Sequence, residues 1–295
     1  MVRNKQSQNR AFTLVELLVV LAIIAILIAL LLPMVLAVKR HAQQVVCQSN
    51  LRQLGIATML YGQDNQYFPT DKLDLFHSSD TVGGAWCWPV RLRKYLRRNQ
   101  KVFYCPANNS DCQWTDDMPG DVVRAQEIHT HFGYELGERL LISGENYSIN
   151  GKQSAKGTFF SYGCNIFGSK RISWDGRGMG GCIFGLENGS LVPSSYYAHR
   201  FKEMKRPSEF IMITDSTANA DGDFGIVSFN RISYSDSRYE YIPAKVHRGG
   251  ANVLFGDGHV KWYPREDLIL KDPLGPGDAA KQRLWNLDNE PEQQW

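Results

Sequence analysis

Apolar positions are unevenly distributed along this chain. Phe12 to Val38 is a run of twenty-seven residues with one ionisable side chain, Glu16. At about 1.5 Å per residue, a helix of that length reaches about 40 Å, more than the roughly 30 Å hydrocarbon core of a bilayer. Beyond the run the pattern becomes amphipathic. Cys47, Leu51, Leu54 and Tyr61 recur at helical spacing, and Lys39, Arg40, Gln43, Gln44, Gln48 and Arg52 form the polar remainder. The pattern predicts one helix from Phe12 to about Tyr61, some 75 Å long by rise per residue. Pro33 removes one backbone hydrogen bond and should bend it. Gly62, Asp64 and Asn65 then end it, and Phe68-Pro69 begins an extended segment.

The remainder reads as short strands and turns. Arg91 to Arg98 suggests one short basic helix with Leu92, Tyr95 and Leu96 inward, and Phe103-Tyr104-Cys105-Pro106 a short strand into a turn. Asn108 to Gly120 is rich in Asn, Asp, Ser and Pro and reads as a surface loop. His129 and His131, two apart, read as a solvated pair. Residues 147–200 carry Gly and aromatic residues in strand-and-turn order. Phe210 to Thr214 is an apolar strand ending at Asp215-Ser216, and Phe224 to Phe229 suggests another. Ala251 to Phe255 and His259 to Tyr263 flank Gly256-Asp257-Gly258, a strong hairpin signal. The polar tail after Pro273 reads as loosely held.

Composition narrows this picture. Of 295 residues, 43% are hydrophobic and the net charge is +3. About 255 residues follow the apolar run, enough for a core in one large domain or two small ones. The charges are mixed and form no basic patch, so nucleic acid is not an expected partner. Six cysteines (Cys47, Cys87, Cys105, Cys112, Cys164, Cys182) fit an oxidising exterior, as a mixture of buried thiols and one or two bridges. They lack CxxC spacing, so no thiolate metal site and no cofactor is expected.

Glu16 carries the functional argument. A charge within hydrocarbon costs several kcal/mol, so an intramembrane acid implies a role and a partner. A cut between Ala11 and Phe12 would supply one: the new α-amino group lies four residues before Glu16, on the same helix face. Arg10-Ala11-Phe12-Thr13-Leu14-Val15-Glu16-Leu17 and the apolar residues after it resemble the class III signal of type IV pilins and type II secretion pseudopilins. The resemblance implies cleavage before Phe12 by a prepilin peptidase on the cytoplasmic side, methylation of Phe12, and an anchor helix that becomes a filament core. Glu16 matches the family's acid and Pro33 its kinking proline, while Ala11 stands where Gly is usual. On this likeness residues 1–11 are a leader, 12–38 a transmembrane helix, 39–62 its amphipathic continuation, and 63–295 a β-rich domain outside the bacterial inner membrane. The implied fold is α+β and pilin-like, a long N-terminal helix packed on an antiparallel β-sheet. The implied partners are the peptidase, other pilin or pseudopilin subunits and membrane lipid.

A second motif lies near the other end. His247 is followed by nine residues and then Asp257-Gly258, which resembles the H-X9-DG signature of a large pseudopilin-like bacterial family without assigned chemistry. Cys47 to Gly55, Tyr104-Cys105-Pro106 and Ser161-Tyr162-Gly163 also match it. Asp257 is read either as the hairpin's turn acid, capping backbone N–H groups or bonding His247, or as part of a metal or acid–base site with His247 and His259. No nucleophile or phosphate loop accompanies them, which favours the structural role and a chain that is not an enzyme. An anchored glycan- or protein-binding module, using aromatics around Trp86, Trp88 and Trp174, is the alternative to a filament subunit.

Overall fold

The computed structural model describes residues 14–69, 88–108, 148–149, 152–153, 161–165, 180–187, 190–216, 225–226, 243–270, 278–286 and 288–289. The chain divides into two units, the first ending at Ala42 and the second running from Gln43 to the C-terminus. Helix α1, Leu14–Asn65, contributes to both. Pro33 lies inside it, so the proline does not terminate the helix. In the first unit the large apolar side chains from Leu14 to Val38 are exposed. Among the described residues this is the one helix long and apolar enough to cross a membrane.

In the second unit α1 turns one face inward. Cys47, Leu51, Leu54, Ala57 and Tyr61 are buried on it, the spacing the sequence displays. Gly55 lets the helix approach the sheet closely: a Cβ there would lie 2.8 Å from Leu254 Cδ1. The sheet comprises β3 (Tyr162–Asn165), β6 (Ile211–Asp215), β7 (Gly225–Ile226), β8 (Gly250–Phe255) and β9 (Val260–Pro264), in the order β7-β3-β6-β8-β9. Strands β3, β6, β8 and β9 pair antiparallel in that succession, and β7 joins the outer edge of β3 in parallel. Two separate two-stranded pairs, β1 (Ser148–Ile149) with β2 (Lys152–Gln153) and β4 (Gly180–Glu187) with β5 (Ser190–Ala198), complete the strands. The fold is α+β, as the resemblance implies.

Both faces of the central sheet are covered. Against α1 lie Tyr162, Cys164, Phe210, Met212, Ile213 and Leu254, together with Trp88 and Leu92 of α2 (Trp88–Leu92). The opposite face holds Ile211, Ala251, Val253 and Phe255 under Leu268 of α3 (Arg265–Leu268) and Trp285 of α4 (Ala279–Trp285). Strand β8 is therefore buried along its whole length, its polar Asn252 included.

Three expectations need correction. Residues 278–286 are not loosely held: α4 forms there and inserts a fully buried Trp285 into the second core. Phe103 closes a short 3₁₀ turn, Gln100–Phe103, and Tyr104 continues extended without joining a sheet. Trp88 is fully buried against Phe103, so it offers no exposed platform to a glycan. Trp86, Trp174, His129, His131, Cys87, Cys112, the 109–120 part of the predicted loop, the leader, Ala11 and Phe12 lie outside the described residues.

Candidate functional site

Four side chains of three chemical types converge where α1 meets the sheet: Cys47, Cys105, Asp215 and His247. All are buried, and one donor atom from each lies within 4.8 Å of the other three. Each is positioned by a different local device.

Cys47 lies on the inward face of α1, one turn before Leu51. Cys105 follows the 3₁₀ turn and is gripped from both sides by helix residues. Asn50 Nδ2 donates to the Tyr104 carbonyl at 2.9 Å, and Gln43 Nε2 to that of Pro106 at 2.8 Å. Asp215 owes its direction to an irregularity in β6. Ile211 pairs with Phe255, but Ile213 pairs with Leu254, so the register slips by one residue between them. Before the slip, Phe210 and Met212 face α1 while Ile211 faces away; after it, Ile213 faces α1. Side chains alternate along a strand, so the bulge turns Asp215 towards the helix; without it the carboxylate would face the opposite core.

His247 sits before a tight turn into β8. Its N–H donates to the Gly250 carbonyl at 3.1 Å, and the Gly250 N–H donates back to the His247 carbonyl at 3.0 Å. Arg248 and Gly249 between them have φ of 51° and 80°, the two positive values of a type I′ turn. Trp262 Nε1 donates to the same His247 carbonyl at 2.8 Å, tying the turn to β9.

Contacts within the cluster are short. The Cys47 thiol donates to Asp215 Oδ1 at 2.8 Å, and Cys105 Sγ lies 3.1 Å from His247 Nε2. His247 Nε2 is 3.7 Å from Asp215 Oδ2, which also accepts the Asn252 N–H at 2.6 Å. The Tyr162 hydroxyl donates to Cys47 Sγ at 3.2 Å, and Asn50 Nδ2 reaches the Tyr162 oxygen at 3.5 Å.

The electrostatics follow from this crowding. Burial pushes the Cys47 thiol above its ordinary value, helped by its neighbours Cys105 and Asp215. Hydrogen bonding with Cys47 and then His247 outweighs burial at Cys105 and brings its thiol down to about 5. Burial raises the Asp215 carboxyl to about 7, and the negative Cys105 adds to the effect. Burial opposes charge on His247, but its bond with Cys105 and the charge of Asp215 outweigh it and raise the imidazole. Two sulfurs, one imidazole nitrogen and one carboxylate oxygen are the donor types that bind borderline-soft cations.

The H-X9-DG residues do not form one site. His247 joins the cluster, whereas Asp257 lies in the β8–β9 hairpin loop and bonds His259. Asp257 Oδ1 accepts the His259 backbone N–H at 3.1 Å and its Nδ1–H at 2.6 Å. Gly258 follows with φ of 89°, a conformation that glycine adopts without strain. Both side chains of the Asp257–His259 pair are substantially exposed. Burial acts against the Asp257 charge, but the bonds from His259 prevail and hold its carboxyl below the ordinary range. That stabilisation is present above the ordinary carboxylate pKa and is lost as the pH falls through the lower folded value. Asp257→Asn should therefore cost under about 1 kcal/mol near neutral pH and nothing in strong acid, read by thermal unfolding at both. A loss above about 2 kcal/mol would assign Asp257 more than a turn-capping role.

Sequence reasoning named Cys47, Cys105 and His247 in separate segments, and Asp215 as the end of a strand, without joining them. Cys47, Cys105 and Cys164 are free thiols in the structure. Of the processing and assembly residues, Glu16 and Pro33 lie on α1.

Residues 6–32 match the model of the prokaryotic N-terminal methylation motif. No curated protein and no solved structure matches the chain. The chain thus carries a prepilin-type N-terminal methylation motif on a membrane-capable helix, followed by an α+β domain.

Proposed function

We propose that this chain is a membrane-anchored pilin-like subunit that a prepilin peptidase cuts between Ala11 and Phe12 and methylates at Phe12. The observation that carries the reading is the methylation motif at residues 6–32 leading into an exposed apolar helix whose first turn holds Glu16. The N-terminus is cytoplasmic and the α+β domain extracytoplasmic. After cleavage the subunit adds to a pseudopilus of type II secretion or to a type IV pilus-like filament. The role is structural rather than enzymatic, in an H-X9-DG type of pseudopilin.

The physical basis is charge pairing within lipid. A carboxylate in an apolar helix array is costly unless neutralised, and the α-ammonium on Phe12 of an adjacent parallel helix neutralises it. Pairing between neighbours sets the axial register, and the apolar residues to Leu32 supply packing. Two measurements test this reading. Mass spectrometry of the membrane-extracted protein should find Phe12, bearing one methyl group, as the first residue. Glu16→Ala should still insert in the membrane yet lose roughly tenfold or more of its recovery with pilin partners, as expected for removing a charge partner in lipid. A chain that still begins at Met1 in cells, or a Glu16→Ala variant that co-assembles normally, would rule it out.

A further inference from the structure

We propose that Cys47, Cys105, Asp215 and His247 form a structural zinc site that fastens the domain-side half of α1 to the sheet. The inference does not depend on cleavage or filament entry, because all four residues belong to the unit that begins at Gln43.

The donor set comes first. Two cysteine sulfurs, one imidazole nitrogen and one carboxylate oxygen from four separate segments point at a common centre. Zinc takes sulfur, imidazole and carboxylate ligands in tetrahedral geometry, with bonds of about 2.0–2.3 Å. Donors on such an ion are separated by about 3.3–3.8 Å. The observed separations include 2.8 Å between Cys47 Sγ and Asp215 Oδ1 and 3.1 Å between Cys105 Sγ and His247 Nε2. His247 Nε2 and Asp215 Oδ2 are 3.7 Å apart, and no donor pair exceeds 4.8 Å. To reach that range the 2.8 Å pair must open, and a pair as wide as 4.8 Å must close, by about 1 Å or less.

Burial is the second argument. Asp215 is fully buried, and beside it are two thiols and an imidazole, all removed from water. A cation at their common centre would stabilise two buried sulfurs and a buried carboxylate together. Four protein ligands fill a tetrahedral site and leave no open position, which marks a structural rather than a catalytic ion. Binding needs both sulfurs as thiolates and the His247 Nε2 lone pair free, and it releases to solvent whatever protons the four groups still carry.

Surrounding contacts are the third. The Asn252 N–H holds Asp215 Oδ2, the Tyr162 hydroxyl donates to Cys47 Sγ, and the main chain of His247 is fixed by Gly250 and Trp262. Donors of this kind orient ligands and offset the excess negative charge of two thiolates and a carboxylate. A Cys47–Cys105 disulfide is the competing fate of two adjacent thiols. It would leave unexplained why an imidazole and a buried carboxylate meet at the same point.

The test uses the full chain, extracted in detergent, with one portion alkylated at lysis to read disulfides and the rest left unmodified. Elemental analysis of unalkylated protein should find about one zinc ion per chain. Cobalt exchanged into the wild-type protein should give the thiolate charge-transfer band and the intense visible absorption of a tetrahedral ion. Cys105→Ser and His247→Ala should each lower zinc affinity roughly tenfold or more, whereas His259→Ala and Cys164→Ser should keep the ion. A Cys47–Cys105 disulfide in the protein from cells would overturn the proposal. So would a folded wild-type chain with free thiols that takes up neither zinc nor cobalt; the cobalt spectrum decides even if the variants fail to fold.

Discussion

Trp285→Ala is expected to destabilise the domain by about 3–5 kcal/mol, the range for emptying a buried aromatic site. Trp285 has no exposed surface and packs with Ile211, Val253, Phe255 and Leu268 on the sheet face opposite α1. Its Nε1–H donates to the Leu268 carbonyl at 3.0 Å, joining α4 to α3. Its own carbonyl accepts Asn165 Nδ2 at 2.9 Å, and the same amide nitrogen donates to the Ile211 carbonyl at 3.0 Å. Truncation therefore leaves both a cavity and an unmet carbonyl at Leu268, and the sheet side of that cavity cannot move in to fill it. For a domain this large the loss corresponds to a fall in Tm of roughly 10 °C. Thermal unfolding followed by near-ultraviolet circular dichroism would measure it. A change under about 1 kcal/mol would show that α4 is not docked in solution.

The sequence around Trp285 carries little periodic signal. Between Asp278 and Asn289 the apolar residues are two alanines, Leu284, Trp285 and Leu287, too few in too short a helix for a period to emerge. Long periodic segments were legible. The 3.6-residue recurrence of Cys47, Leu51, Leu54 and Tyr61 is the buried face of α1, and Asp257-Gly258 marks a real hairpin. The candidate site was legible only in pieces. Cys47 and Asp215 are 168 residues apart and Cys105 and His247 142 apart, so their meeting is a tertiary event. The orientation of Asp215 depends on a one-residue slip within Ile211-Met212-Ile213. That stretch is apolar throughout and carries no alternation from which the slip could be inferred. CxxC spacing is a local signal and does not register a cluster whose four side chains come from four segments.

Gly250→Ala should cost about 3 kcal/mol or more, at the upper end of overpacking penalties, although it adds a single methyl group. Gly250 pairs with Pro264 at the start of β8, where β9 passes very close. A Cβ there would collide with the Tyr263 carbonyl oxygen and would lie 2.7 and 2.8 Å from two atoms of the Trp262 ring. The Tyr263 oxygen is backbone and cannot rotate away, so β9 must move or the β8–β9 pairing must open. Both routes disturb His247, whose carbonyl is held by Gly250 N–H and Trp262 Nε1. The neighbouring glycine separates this steric cause from a conformational one. Gly249 has φ of 80° but open space around its absent side chain, so Gly249→Ala meets only the left-handed backbone cost of about 1–2 kcal/mol. The two variants, compared by denaturant unfolding, should therefore rank with Gly250→Ala clearly the more damaging. Equal losses, or the reverse order, would mean that β9 does not press on β8 as described and that His247 is positioned by the turn alone.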